Sequence, residues 1–372
     1  MILSFLPKEL QKIEQSNLYR TLKVIENTDG RAIKINGKEY LNFCSNNYLG
    51  LANHPEVIKK AKAALDKYGA GAGASRLVSG TLKIHRELEE KLAQFKKREA
   101  AIVFSTGYMA NLGVISSLLD ENDTVIIDRL NHASIVDACR LSKAKLQIYS
   151  HCDMEALEKI LKRSEKYKKR LIVTDSLFSM DGDLAPLPKI AGLAKKYNAA
   201  TMIDEAHATG VIETESSGID VVMGTLSKAL GSLGGFVCGS ADLINFLRNK
   251  AGSFIYTTAL PPASCAAALA ALEIIGKNPG IVENLRMNSR LLSSRLSFLA
   301  SHLSPIFPLI LGDEKKTIEV SRFLFNNGIY ATAIRPPTVP KGQSRLRITL
   351  TALHTKEDIE CLASLLQQLI PK

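Results

Sequence analysis

The sequence lacks the residue spacings that organise metals, disulfides and nucleotides. Its six cysteines, at positions 44, 139, 152, 238, 265 and 361, contain no C-x-x-C pair. A zinc ribbon or thioredoxin-type site is therefore not indicated, and the scatter fits reduced thiols in a cytoplasmic protein. The seven histidines include no H-E-x-x-H, so a metal site has no support. There is no G-x-S-x-G, hence no α/β-hydrolase elbow. Asp204-Glu205-Ala206-His207 spells a helicase box, but Gly37-Lys38 and Gly276-Lys277 are the only Gly-Lys pairs and neither precedes Ser or Thr. Without a phosphate loop the box is a coincidence. Gly69, Gly71 and Ala74 match part of a dinucleotide fingerprint but follow a helical pattern instead of a strand, which reads as a loop. Repeats and low-complexity tracts are absent. The opening Met-Ile-Leu-Ser-Phe-Leu-Pro-Lys-Glu has no basic n-region and no full apolar stretch, so no secretory signal is expected. The longest uncharged stretch, Ala251 to Leu272, is broken by Pro261-Pro262. It is expected to form a strand-like piece and then a buried helix, with no membrane span.

The chain has 372 residues, 46% of them hydrophobic and 23% charged. That length buries a large core without covalent staples. Lys and Arg number 48 against 37 Asp and Glu, a net charge of +11. Part of this excess lies in Lys159–Arg170, on an expected helix. A solvated helix face accounts for it as a solubility feature; the alternative is an acidic partner. Nucleic acid is not expected, because no aromatic–basic interleaving accompanies the charge.

From Leu82 onward, helical periodicity alternates with short apolar runs. Strands are expected at Ala101–Phe104, Thr124–Asp128, Leu146–Ser150, Arg170–Asp175, Ala200–Asp204, Val221–Gly224 and Gly235–Gly239, with helices at Leu82–Phe95, Tyr108–Leu119, Met154–Tyr167 and Leu187–Tyr197. Continuous apolar strands between helices imply a mostly parallel sheet covered on both faces, which takes its ligands beyond the strands' carboxyl ends. A helical arm is expected in residues 1–30 and a turn at Asn36-Gly37. A helix is expected at Ala263–Ile275, and a long one from Asn278-Pro279-Gly280 to about His302. The remainder, with strands near Ile306–Leu311 and Arg345–Leu350, reads as a smaller α+β domain. The boundaries are an N-terminal arm over 1–44, a large domain over 45–278 and a small one over 279–372.

One constellation sits on the expected strand ends. Asp204 closes a strand, with His207 three residues on; Lys228 lies just beyond Val221–Gly224 in Thr225-Leu226-Ser227-Lys228. Ser105-Thr106-Gly107-Tyr108 joins a strand to a helix start, which suits a phosphate, and His132 follows Thr124–Asp128. Taken singly, each has a plain structural reading: an exposed lysine, a helix-capping aspartate, a loop histidine. Together they are the parts of a pyridoxal 5'-phosphate site, with a lysine to carry the cofactor and a carboxylate to keep its ring nitrogen protonated.

Six segments carry a family resemblance: Phe43–Leu51, Ser75–Gly80, Phe178–Asp183, Asp204–Gly210, Thr225–Lys228 and Ala333–Pro340. On these, the sequence resembles the α-oxoamine synthases, fold-type I pyridoxal-phosphate enzymes, over essentially its whole length, and most of all their biotin-pathway branch. The resemblance implies an α/β fold like that of aspartate aminotransferase. It also implies a cytoplasmic homodimer with active sites at the interface. It assigns Lys228 as cofactor anchor and Cα base, Asp204 to the ring nitrogen, His207 with Ser179 to the ring oxygen, and His132 to the ring face. Gly107, Tyr108 and Thr225 are assigned to the phosphate, with Thr258 reaching it from the other subunit. Arg347, assisted by Asn46, is assigned to the amino-acid carboxylate, and Arg20 and Thr338 to substrate. Alternation places Arg345 and Arg347 on one face, so the choice between them rests on the resemblance. The implied reaction condenses L-alanine with pimeloyl-CoA or pimeloyl-acyl-carrier protein, with loss of CO2. Glycine with acetyl-CoA, other acyl donors, and an inactive scaffold homologue stay open as alternatives.

Overall fold

The computed structural model describes residues 2–296, 298–299 and 304–369. The chain forms two compact units. One comprises residues 51–179 and 183–282; the other comprises 1–50, 180–182 and 283–372.

The first unit is built on a seven-stranded sheet. Its spatial order is Ala100–Phe104, Gly235–Gly239, Val221–Thr225, Ala200–Asp204, Arg170–Asp175, Thr124–Asp128, Lys145–Tyr149. All neighbouring pairs from Val221–Thr225 outward are parallel. Gly235–Gly239 alone runs against its two neighbours. Thr124–Asp128, Val221–Thr225 and Gly235–Gly239 are buried at every position, which is why these strands read as unbroken apolar runs. On one face Ile127, Val173, Met223 and Val237 pack with Val114 and Ile115 of helix Gly107–Leu118 and Ile135 and Ala138 of helix Ala133–Ser142. Burying a side chain of this size contributes about 1.5–3 kcal/mol.

The expected strand-like piece after Ala251 is instead a helical turn, Gly252–Ile255. Phe254 lies edge-on to Phe104 at 5.8 Å between ring centroids, so tertiary burial overrides the β propensity of Ser-Phe-Ile-Tyr. The helix that follows, Pro262–Lys277, is largely buried. Among the described residues no single helix is long and apolar enough to cross a membrane.

In the second unit, Asn27–Thr28, Ala32–Ile35, Lys38–Asn42 and Ile329–Tyr330 form one sheet, and Ile306–Gly312, Ser344–Thr349 and Ala333–Ile334 another. Asn36 and Gly37, at φ +49° and +75°, make the two-residue turn whose twist matches a hairpin. Helix Gly280–Arg295 ends before the expected position; His302 lies outside the described residues.

Candidate active site

The parallel strands deliver the functional groups at their carboxyl ends. Asp204 ends its strand, and Asp175 is its register partner on the next one. Val221–Thr225 then leads into a reversal that returns as Gly235–Gly239. That turn is fastened at both ends. Leu226 N donates to Gly234 O (2.9 Å) and Ser232 N to Leu226 O (2.9 Å), while Thr225 Oγ1 donates to Gly234 O at 2.8 Å. Gly231, at φ +61°, passes so near the chain that a Cβ would fall 2.3 Å from Ala52 N. Lys228 rides on this turn.

Helix Gly107–Leu118 starts beside it. Its N-cap Thr106 accepts from Met109 N at 3.1 Å, leaving the Gly107 and Tyr108 amides, at the first two positions, with no acceptor inside the helix. Such a start favours an anion through its N–H groups and dipole. The approach depends on Gly235: a Cβ there would lie 2.6 Å from Gly107 N.

Asp204 is 5% exposed. Its Oδ2 accepts from Asn111 Nδ2 (2.9 Å) and its Oδ1 from Ala206 N (2.8 Å), so neutral donors hold it. Burial, and then the charge of Asp204, push the Asp175 carboxyl well above the usual carboxylate range. Burial also pushes the His132 imidazole below its ordinary value, which favours the neutral ring. That ring meets Ser134 Oγ at 2.7 Å and stands edge-on to Tyr108. Lys228 Nζ lies 2.8 Å from His207 Nε2.

These groups line a cavity of about 260 Å³. Of the sequence-predicted cofactor residues, Gly107, Tyr108, His132, Asp204, His207, Thr225 and Lys228 are on its wall, whereas Ser179 and Thr258 are not. Thr258 O accepts from Ser105 Oγ at 3.0 Å. Asn111, Ser134 and Asp175 also line it, and sequence reasoning missed all three. An Asn amid the apolar residues Met109, Ala110, Leu112, Val114 and Ile115, one turn past the helix's anion-ready start, was the available signal for Asn111.

The predicted substrate residues belong to the other unit. There Arg347 donates to Asn46 Oδ1 (3.0 Å) and Tyr48 OH (2.9 Å). Arg345 is committed to Asp181 Oδ1 at 2.6 Å and Met180 O at 3.1 Å. Arg20 donates to Pro336 O at 2.7 Å, and Thr338 is exposed, its N donating to Arg335 O at 3.1 Å.

The cavity's donor set fits pyridoxal 5'-phosphate: a buried carboxylate for the ring nitrogen, an amine, a neutral imidazole and an amide-rich helix start. A further buried atom on the same wall, Asn111 Oδ1, has no hydrogen-bond partner among the described residues.

Comparison with known proteins points the same way. The family profile "Aminotransferase class I and II" matches residues 38–366. The chain is 45% identical over 373 aligned positions to an 8-amino-7-oxononanoate synthase of Thermoanaerobacter pseudethanolicus, covering 96% of this chain and 94% of that one. It is 43% identical to the protein of the same name from Bacillus pumilus, covering 98% and 97%. Among solved structures, a point variant of serine palmitoyltransferase from S. paucimobilis with a bound PLP–myriocin aldimine superposes with a TM-score of 0.93 at 33% identity, over 99% of this chain and 97% of that one. An 8-amino-7-oxononanoate synthase of Francisella tularensis gives 0.76 at 28% identity, over 89% and 98%.

Proposed function

We infer from the premise that the chain belongs to the class I and II aminotransferase family, with relatives named 8-amino-7-oxononanoate synthase over nearly its whole length, that it is a pyridoxal-phosphate-dependent acyltransferase of biotin biosynthesis. Its substrates on this reading are L-alanine and a pimeloyl thioester, on CoA or an acyl-carrier protein, and its products 8-amino-7-oxononanoate, CO2 and the free thiol. It works in the cytoplasm as a homodimer, with Thr258 reaching the partner's phosphate site. The observation that carries the reading is the buried Asp204, held by Asn111 and the Ala206 amide on the wall it shares with Lys228.

When bound, pyridoxal phosphate supplies an electron sink for charge developing at the amino-acid Cα. The residues do the rest. Asn111 and the Ala206 amide hold the Asp204 carboxyl in place, and a carboxylate there would keep a proton on a pyridine nitrogen. Neutral His132 offers a flat face that adds no positive charge against the ring. The Gly107 and Tyr108 amides would bind the phosphate, and Thr225 would join them by turning its hydroxyl from Gly234 O. Lys228 Nζ takes the Cα proton, with His207 orienting the amine from 2.8 Å. Arg347 matches a carboxylate with its planar fork, and the partners that aim it, Asn46 and Tyr48, are neutral. Arg345 already has Asp181.

A second reading follows from the serine palmitoyltransferase superposition: L-serine with a long-chain acyl-CoA. The relatives above 40% identity favour the first. One substrate matrix decides: L-alanine, glycine and L-serine against pimeloyl-CoA, pimeloyl-carrier protein, acetyl-CoA and palmitoyl-CoA, with product mass as readout. The L-alanine/pimeloyl product should dominate. A dominant product from any other pair overturns the assignment of substrates, and no product from any pair overturns the enzyme reading.

A further inference from the structure

His151 takes no part in the chemistry above, yet both of its ring nitrogens are engaged by carboxylates. Nδ1 donates to Asp128 Oδ1 at 3.0 Å and Nε2 to Asp183 Oδ2 at 2.7 Å. Two such acceptors require both nitrogens protonated, and Asp128 first, then Asp183, push the group up to about 12. The ring stands edge-on to Phe178, with centroids 4.4 Å apart.

The two carboxylates anchor different segments beside the cavity. Asp128 ends the strand Thr124–Asp128 and organises the turn after it. Its Oδ1 also accepts from Leu130 N (2.8 Å), its Oδ2 from Cys152 N (2.8 Å), and its carbonyl from Asn131 N (3.2 Å). The next residue is His132, whose own N donates to Asp175 Oδ1 at 3.4 Å. Asp183 closes the loop after Arg170–Asp175. Its carbonyl accepts from Phe178 N at 3.0 Å, and Ala185 N donates to Ser176 O at 3.1 Å, beside a bridge between Leu177 and Leu184. Leu177 and His132 both line the cavity.

We propose that His151 is a positioning residue. Its doubly paired imidazolium ties the Asp128–His132 turn to the Ser176–Ala185 loop, and so fixes His132 and Leu177 against the cofactor. The proposal rests on the cofactor reading of the cavity. Charge-assisted hydrogen bonds are about twice as strong as neutral ones, and burial of Asp128 at 1% exposure makes its bond resistant to solvent exchange. The residues Asp128, His151 and Cys152 are also close enough to hold a cation. Both ring nitrogens face carboxylates at hydrogen-bond distance, however, which is the arrangement of an imidazolium bracket.

The test compares the holoenzymes of His132→Ala, His151→Gln and Asp183→Asn by visible circular dichroism of the bound cofactor, pyridoxal-phosphate affinity and steady-state kinetics. Misplacing a catalytic group by about 1 Å costs up to about a hundredfold. His151→Gln and Asp183→Asn should each lower kcat about tenfold, with KM for the amino acid nearly unchanged. Both should alter the dichroic band in the same sense as His132→Ala. The double variant His132→Ala/His151→Gln should lose clearly less than the product of the two single effects, because His151 acts in part through His132. If His151→Gln and Asp183→Asn lower only the melting temperature, with the band and kcat per bound cofactor unchanged, the bracket is structural and the proposal is overturned. If His132→Ala itself leaves band and kcat intact, the reading of the cavity fails and takes the proposal with it. Asp183→Asn, on a partly exposed side chain, keeps the test alive should His151→Gln fold poorly.

Discussion

The seven-stranded sheet treats two of its buried carboxylates, Asp123 and Asp204, in opposite ways. At the amino ends, Asp123 is fully buried, and the chain supplies its counter-charge: Lys169 Nζ lies 2.9 Å from Asp123 Oδ2, with the Lys169 amide on Oδ1 at 3.0 Å. At the carboxyl ends, Asp204 is held by an amide side chain and a backbone N–H, and Asp175 beside it is driven toward its neutral form. A charge neutralised from within is a structural element. A charge held only by neutral donors is available to a ligand. Two lysines of the basic run lie at the amino ends. Lys168 and Lys169 precede the strand Arg170–Asp175, so they sit about 20 Å of strand away from the cavity end.

The comparison can be broken most forcefully at Lys228. Lys228→Ala should remove both turnover and the visible absorbance of bound cofactor; a variant that keeps substantial activity and a reducible covalent cofactor would move the site elsewhere. Asp204→Asn should retain the cofactor while slowing Cα proton exchange in deuterated water by about a hundredfold or more, and unchanged exchange would end its role. The neighbouring carboxylate should act on stability instead. Because the folded-state pKa of Asp175 is raised, the group opposes folding increasingly as pH rises above its ordinary value of 3.8. Asp175→Asn should therefore stabilise the cofactor-free protein by an amount on the order of 1 kcal/mol that is larger at pH 8 than at pH 5. A melting-temperature gain independent of pH would contradict that. The smallest effect is expected at the amino ends. Lys169→Ala leaves a buried carboxylate with backbone donors only, costing about 1 kcal/mol, with kcat unchanged; a fall in kcat per folded enzyme would erase the contrast between the two ends.

Much of this was legible in the sequence because strand-end chemistry is local. Asp204, His207 and Lys228 announce themselves by standing just beyond apolar runs. What escaped depends on direction, face or distance along the chain. The run Gly235–Gly239 reads the same whether parallel or antiparallel, since a strand buried on both faces has no alternation to orient it. Asp175 looks like any strand terminus until the register sets it beside Asp204. Arg345 and Arg347 share a face, and only their partners, Asp181 for one and Asn46 with Tyr48 for the other, separate them. His151 gains its meaning from Asp128 and Asp183, which lie 23 and 32 residues away.

The reversal that carries Lys228 also has a bearing on protein engineering. Leu226 and Gly234 are bonded across its base, and Gly231 rests against the backbone of Ala52. An affinity tag, a fluorescent insert or a new pair of chain termini placed there has no slack to absorb it, and any lengthening would be transmitted to the amine. The Gly69–Gly73 loop is the opposite kind of place, because a side chain added at Gly69, Gly71 or Gly73 meets nothing within 4 Å. In the isolated subunit, a library of random insertions should thin to nothing across Leu226–Gly234 and be rich around Gly71.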